Sequence, residues 1–165
     1  MTDRKVSFAP VVDQKTSVLV LGSLPGEASL AAARYYAHPR NQFWRLIGAV
    51  IGVDLVGQTY EQRLDTLLTH RIGLWDSIGS ASRKGSLDTA IRDITANPLS
   101  ALAASLPHLR CVAFNGSKSA AIGRAQLAQA GDLAFLSLPS SSPAHAAMGF
   151  EAKLAQWTNL RKFLG

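Results

Sequence analysis

Short, continuous apolar runs alternate with segments of helical spacing along this chain. Val18 to Leu21 is the kind of run that a strand buried on both faces requires, and Gly22-Ser23-Leu24-Pro25-Gly26 stops it. Glu27 to Arg34 is Ala-rich and helix-permissive, and His38-Pro39 is expected to end it, because the residue before proline is pushed out of the α region. Asn41 stands where an N-cap is expected. Phe43, Trp44, Ile47, Val50 and Ile51 follow it at helical spacing up to Gly52. Glu61 to His70 places Leu64, Leu67 and Leu68 on one helical face, and Ile72 to Ile78 reads as the next strand, ending around Asp76. Arg83, Lys84 and Gly85 form a basic loop before a short helix through Ile91 and Ile94. Pro98 to Leu106 is a helix opened by proline. Cys111 to Phe114 and Leu133 to Leu138 are the remaining core strands, with an Ala-rich helix between them, and Phe150 to Leu164 closes the chain as an amphipathic helix. Residues 1–16 read as an arm or edge strand.

This alternation predicts an α/β fold, a three-layer α/β/α sandwich around a mainly parallel sheet of four strands, in a single domain over residues 1–165. Right-handed crossovers then bring every strand-to-helix loop to one edge, where open parallel sheets bind ligands. The unusual polar groups fall at that edge: Ser23 after the first strand, Asp76 and Asn115 at the ends of the second and third, and Ser140 to Ser142 after the fourth.

Composition narrows the picture. Seventeen Lys+Arg against eleven Asp+Glu give a net charge of +6, which favours a polyanionic partner such as nucleic acid, although surface charge for solubility explains it equally well. The lone Cys111 excludes an internal disulfide and a cysteine-ligated zinc or iron–sulfur site, and fits a reducing, cytoplasmic compartment. The four histidines are scattered, so no metal site is expected. No apolar run is long enough to span a bilayer and no secretory leader is recognisable.

The cleft has no Walker lysine, no GxGxxG fingerprint, no GxSxG elbow and no cysteine with a nucleophile's partner. It offers carboxamides, a carboxylate, hydroxyls, backbone amides and aromatics. That set holds a heterocycle by its face and edge and orients a water, and it is poor at covalent catalysis.

GSLPG, YAHPRNQFW, GLWDSIGSASRKGSLD, FNGSKS and LPSSSPAHA occur in the order and approximate spacing of the uracil-DNA glycosylase superfamily. From about Val18 to Trp157 the chain most resembles the hypoxanthine-DNA (deoxyinosine) glycosylase branch. The resemblance implies an enzyme of base excision repair that flips a deaminated base out of DNA and hydrolyses its N-glycosidic bond with water, leaving an abasic site, without metal or cofactor. The expected partner is damaged DNA, double-stranded or single-stranded, and the expected location is the cytoplasm of a bacterium, on the nucleoid when bound to DNA; a monomer is the default, because no exposed apolar helix face asks for a subunit.

Residue roles follow from matching positions. The superfamily's first loop usually carries a water-activating Asp, Asn or Glu, where this chain has Ser23 and Leu24. In the hypoxanthine branch that role passes to the Asn of HPxNxFW, so the resemblance implies Asn41, with Ser23, as catalytic. As an ordinary residue Asn41 is simply a helix cap. Gly22, Leu24, Tyr36, Phe43, Asp76 and Asn115 are implied to bind the base, with Tyr36 stacking on it. Asp76 aligns with the base-reading Asn of the uracil enzymes; ionised, it only accepts, which favours the N1–H of hypoxanthine. Without the family, Asp76 is equally a strand-end cap. Leu138 occupies a position where the superfamily often has His or Asn, so the leaving base must be stabilised elsewhere, by amides of the Gly22 loop or by Asn115. Arg83, Lys84, Ser117, Lys118, Ser140, Ser141, Ser142 and His145 are implied to contact DNA. Two alternatives stay open: a uracil or G·T/U mismatch glycosylase, and a non-enzymatic binder of damaged DNA with the same fold.

Overall fold

In the computed structural model, which describes residues 4–165, the chain runs β1 (Arg4–Val6), β2 (Val18–Gly22), α1 (Glu27–Ala32), α2 (Phe43–Ile51), α3 (Tyr60–Thr69), β3 (Ile72–Asp76) and β4 (Ile78–Ser82). After a 3-10 turn at Asp88–Ala90 it continues through β5 (Arg92–Ala96), α4 (Leu99–Ser105), β6 (Cys111–Asn115), α5 (Ser117–Gln126), β7 (Ala134–Leu138) and α6 (Phe150–Trp157), and a 3-10 segment, Thr158–Phe163, follows. Residues 1–3 of the expected arm lie outside the described residues.

The core sheet has the order β3-β2-β6-β7, and all of its neighbours are parallel. Its pleat sorts the apolar runs into two layers. Val18, Val20, Ile72, Leu74, Cys111 and Ala113 pack with Phe43, Leu46 and Ile47 of α2, Leu67 of α3 and Trp157 of α6. Leu19, Leu21, Trp75, Val112 and Phe114 face the opposite way, onto Leu99 of α4 and Ala120 of α5. Because both faces are covered, these strands read as unbroken apolar runs. Each fully buried Leu, Ile or Phe contributes roughly 1.5–3 kcal/mol relative to exposure. The expected three-layer fold is the one observed.

Four local expectations are corrected. The first helix ends at Ala33, in the left-handed region at φ 53°, before His38-Pro39 is reached. The second strand is broken at Ser77: Asp76 ends β3, and Ile78 starts β4 in a different sheet. The helix expected through Ile91 and Ile94 is strand β5. Only Ile91 is buried, Ile94 is 39% exposed, and the backbone from Arg92 to Ala96 pairs antiparallel with β4 instead. Beyond Trp157 the closing helix tightens to 3-10.

The resulting second sheet, β1-β4-β5, is antiparallel and was not foreseen. Its small apolar cluster of Ile78, Ala81 and Ile91 takes in Leu24 from the glycine loop. This sheet carries the 3-10 turn to the C-terminal ends of the core strands.

Candidate functional site

A cleft of about 880 Å³ opens at the carboxyl ends of the parallel strands. Its walls are the Gly22–Ser29 segment, the turn from Tyr35 to Asn41, Asp76, the connection from Ser86 to Thr89, the start of α5 and the loop from Leu138 to His145. Of the residues singled out from sequence, Gly22, Ser23, Leu24, Tyr36, Asn41, Asp76, Asn115, Ser117, Ser140, Ser141, Ser142 and His145 line it.

The floor is built by ladder register. Gly22 and Asp76 are cross-strand partners on β2 and β3, and Asp76 is 4% exposed. Its Oδ2 has no hydrogen-bond partner among the described residues. Burial, then the negative charge of Asp88, push its carboxyl up to about 7, while Arg83 opposes them. The ordinary expectation of a fully ionised Asp76 is therefore corrected: near neutral pH the group is present in both forms, as an acceptor and as a donor. Tyr36 stands beside it in the left-handed region at φ 53°, with its ring stacked on Phe43 at 3.9 Å and 15°. Its hydroxyl is buried and unpartnered, and burial followed by the Asp76 charge pushes its acidity down. Trp44 fixes this turn by donating Nε1–H to the Tyr36 carbonyl at 3.1 Å.

The N-cap of α2 is Gln42, so the N-cap expected at Asn41 is corrected: Asn41 stands one residue ahead of it and closes an Asx turn into the helix. Its Oδ1 accepts the Phe43 N–H at 2.9 Å, leaving the second lone pair and the amide hydrogens for a ligand. The Asx turn therefore leaves part of the carboxamide free to face the cleft. Asn115 is more committed. Its Nδ2 donates to Ser141 Oγ at 2.8 Å and its Oδ1 accepts the Ser141 N–H at 2.9 Å, so it ties the last loop to the end of β6. Ser141 also accepts the Gln42 N–H on its carbonyl and is 1% exposed.

Sequence reasoning missed Asp88. The 3-10 turn that follows β4 brings it to the cleft, where its Oδ1 accepts the Ser23 hydroxyl at 2.7 Å. Asp88 ends the GLWDSIGSASRKGSLD segment, so a signal was present. What hid it was the helix expected there, which gave that carboxylate no place at the strand ends.

Several expected contacts lie elsewhere. Phe43 is fully buried outside the cleft and acts as the wall behind Tyr36. Leu24 lines the cleft through its loop but buries its side chain in the cluster of the second sheet. Arg83 is 2% exposed, with its guanidinium turned inward to donate to the carbonyls of Gly85, Leu24 and Pro25. It organises the glycine loop, and the phosphate role expected of it is corrected, because a buried guanidinium whose hydrogens are spent on carbonyls cannot reach a backbone outside. The phosphate role expected of Ser141 is corrected as well, because it is 1% exposed and its Oγ and N–H are both held by Asn115. Lys84 is exposed and Lys118 half-buried, both outside the cleft walls. Ser140 and Ser142 accept the N–H groups of Ser142 and Ala144, which shapes the loop and leaves their hydroxyl protons to donate.

The chain matches the family described as the uracil DNA glycosylase superfamily over residues 9–161. It is 47% identical over 116 residues to a protein of Methanosarcina barkeri named hypoxanthine DNA glycosylase, and 45% identical over 115 residues to one of the same name from Methanosarcina acetivorans. Each match covers 70% of this chain and 73% of the relative. The solution NMR structure of a candidate uracil DNA glycosylase from Methanosarcina acetivorans shares the fold with a TM-score of 0.85 at 38% identity, over 97% of this chain and 98% of that one.

Proposed function

We infer, from the premise that this chain belongs to the uracil DNA glycosylase superfamily, that it is a DNA glycosylase of base excision repair that removes hypoxanthine from DNA. The observation that carries the reading is the convergence of Tyr36, Asn41, Asp76 and Asn115, from three separate segments, on one cleft at the strand ends. Those groups suit a flipped base held by its face and edge.

In this reading the base rests against Tyr36, which Phe43 backs. Asp76 meets the lactam edge, accepting from N1–H and, when protonated, donating to O6. Asn41, with Ser23, places the attacking water below C1′, and a sugar with oxocarbenium character forms as the bond to N9 lengthens. In the same reading Ser140, Ser142 and Ser117 at the cleft, with Lys84 and Lys118 outside it, contact phosphates, and the exposed end of the last loop at His145 presses into the duplex. The net charge of +6 suits the charge density of a duplex.

The test is incubation of labelled duplexes carrying hypoxanthine or uracil with the wild type and Asn41→Ala, followed by alkali to reveal abasic sites. Cleavage at hypoxanthine, lost in Asn41→Ala, is the expected result. Cleavage at uracil alone would move the chain to another branch of the superfamily. Retained binding of the hypoxanthine duplex without cleavage would make it a binder.

A further inference from the structure

We propose that two carboxyl groups divide the hydrolytic step: Asp88 takes the proton of the attacking water, and Asp76 hydrogen-bonds the departing purine as an acid. This rests on the glycosidic hydrolysis inferred above and assigns its proton traffic.

The need for such a pair is chemical. Asn41 can hold a water, but a carboxamide cannot keep the proton that the water loses. The first loop, with Ser23 and Leu24, has no base of its own, and Leu138 provides no group for the leaving base. The fold brings in a carboxylate from another segment. Asp88 reaches the first loop from the second sheet and accepts the Ser23 hydroxyl at 2.7 Å, so Ser23 turns its lone pairs, not its proton, to the cleft.

The two carboxyl groups sit at adjoining points of that loop. A Cβ on Gly22 would lie 2.6 Å from Asp76 Oδ1, and the next residue, Ser23, holds Asp88. Their surroundings differ in the way that separates an acid from a base. Asp76 is more than nine-tenths buried, lines the cleft and has no partner for Oδ2 among the described residues. Asp88 is only half-buried and already receives a hydrogen bond. The charged and titratable groups around Asp76 are Asp88 and Arg83, with Tyr36 beside it and Tyr35 next along the chain. Asp88 raises the acid's proton affinity and Arg83 lowers it. The charge of Asp88 thus supports the acid role of Asp76.

The step balances. The water oxygen forms the bond to C1′ and its proton passes to Asp88. The C1′–N9 bond breaks with its electron pair going to N9, and the charge spread into O6 is met by the Asp76 O–H. Solvent protonates the base on release and takes the proton from Asp88.

The test is the single-turnover rate on a hypoxanthine duplex from pH 5 to 9 for the wild type, Asp88→Asn, Asp88→Ala, Ser23→Ala and Asp76→Asn, with duplex affinity and thermal unfolding measured in parallel. A general base is worth about 10²–10⁴-fold. Asp88→Asn is therefore expected to lose at least about a hundredfold in rate with affinity kept, and formate is expected to restore part of the rate of Asp88→Ala. The alkaline fall of the wild-type profile should be absent in Asp76→Asn and shifted to lower pH in the residual activity of Asp88→Asn. Ser23→Ala should lose less than Asp88→Asn. A folded Asp88→Asn that cleaves at the wild-type rate would overturn the proposal while leaving the glycosylase reading intact. The same holds if its profile is unshifted and formate is without effect on Asp88→Ala. A wild type that binds but leaves hypoxanthine in place would overturn both.

Discussion

Gly22 and Asp76 face each other across the β2–β3 ladder, and a Cβ at position 22 would stand 2.6 Å from Asp76 Oδ1 and 3.1 Å from the Tyr36 hydroxyl. The bare backbone at Gly22 is what lets a carboxyl group and a phenol meet at the cleft floor. Gly22→Ala should therefore displace both while the strand, which needs no special φ at this position, still forms. A misplacement of about 1 Å can cost about a hundredfold in rate. The expected outcome is a loss of that order in hypoxanthine excision with a near-wild-type circular dichroism spectrum. Wild-type activity in Gly22→Ala would show that the tight contact has no part in catalysis.

Arg83 and Lys84 are neighbours with opposite fates, and substitution should separate them. Arg83 satisfies carbonyls of Leu24, Pro25 and Gly85 from a buried position, whereas Lys84 is exposed. Each buried carbonyl left unpaired costs about 1–3 kcal/mol, so Arg83→Ala should lower stability by at least that much without changing the salt dependence of DNA binding. Lys84→Ala should leave stability alone and reduce the slope of log affinity against log salt by about 1, as loss of one phosphate contact does. Denaturant unfolding and binding at several salt concentrations check both. A flattened salt slope in Arg83→Ala at unchanged stability would return that residue to the DNA surface.

These two residues also show what was legible in the sequence. The parallel sheet was readable because its strands are buried on both faces, as Val18 to Leu21 and Cys111 to Phe114 are, and local hydrophobicity states that directly. The cleft was readable for the same reason, since strand ends in such a sheet share an edge. The second sheet was not. The side chains of β5 from Arg92 to Ala96 are exposed, and what holds the strand is backbone pairing to β4, which leaves no apolar period to read. That omission hid Asp88, and it left Arg83 looking like a surface cation when the fold folds it beneath the glycine loop. Phe43 was misplaced differently: HPRNQFW marked the segment, but only packing decides which aromatic faces the cleft and which supports it from behind.

Asn41 has two jobs that substitution can pull apart. Its Oδ1 caps the Phe43 N–H at 2.9 Å in an Asx turn one residue ahead of the helix N-cap, and its remaining hydrogens and lone pair face the cleft. Asn41→Ala should lose both, with a stability cost of about 1 kcal/mol and no detectable excision. Asn41→Asp keeps an acceptor for the cap, so it should regain the stability, while its lack of amide hydrogens leaves the water held by acceptors alone and the rate reduced. Thermal unfolding and single-turnover cleavage of the same three proteins give the comparison. If Asn41→Asp restored activity in step with stability, the cap would be the residue's whole contribution.

Asp76 should make the fold itself sensitive to pH. Its carboxyl is pushed from an ordinary value of 3.8 up to about 7, first by burial and then by the charge of Asp88. The folded chain thus holds this proton more tightly than the unfolded chain between those two values. For a group raised in this direction, the stabilisation is fully present below the unfolded value and is lost as pH rises through the folded one. One pKa unit corresponds to about 1.4 kcal/mol, and about 1 kcal/mol moves the Tm of a domain of this size by roughly 2–4 °C. From pH 5 to 8 the wild-type Tm should therefore fall by several degrees relative to that of Asp76→Asn, which carries no proton to lose. Above pH 8 the gap should stay constant, since both the folded and unfolded wild type are then ionised at this position. Two Tm curves running parallel from pH 5 to 8 would place the Asp76 proton's departure outside this window, and with it the acid role at the cleft floor.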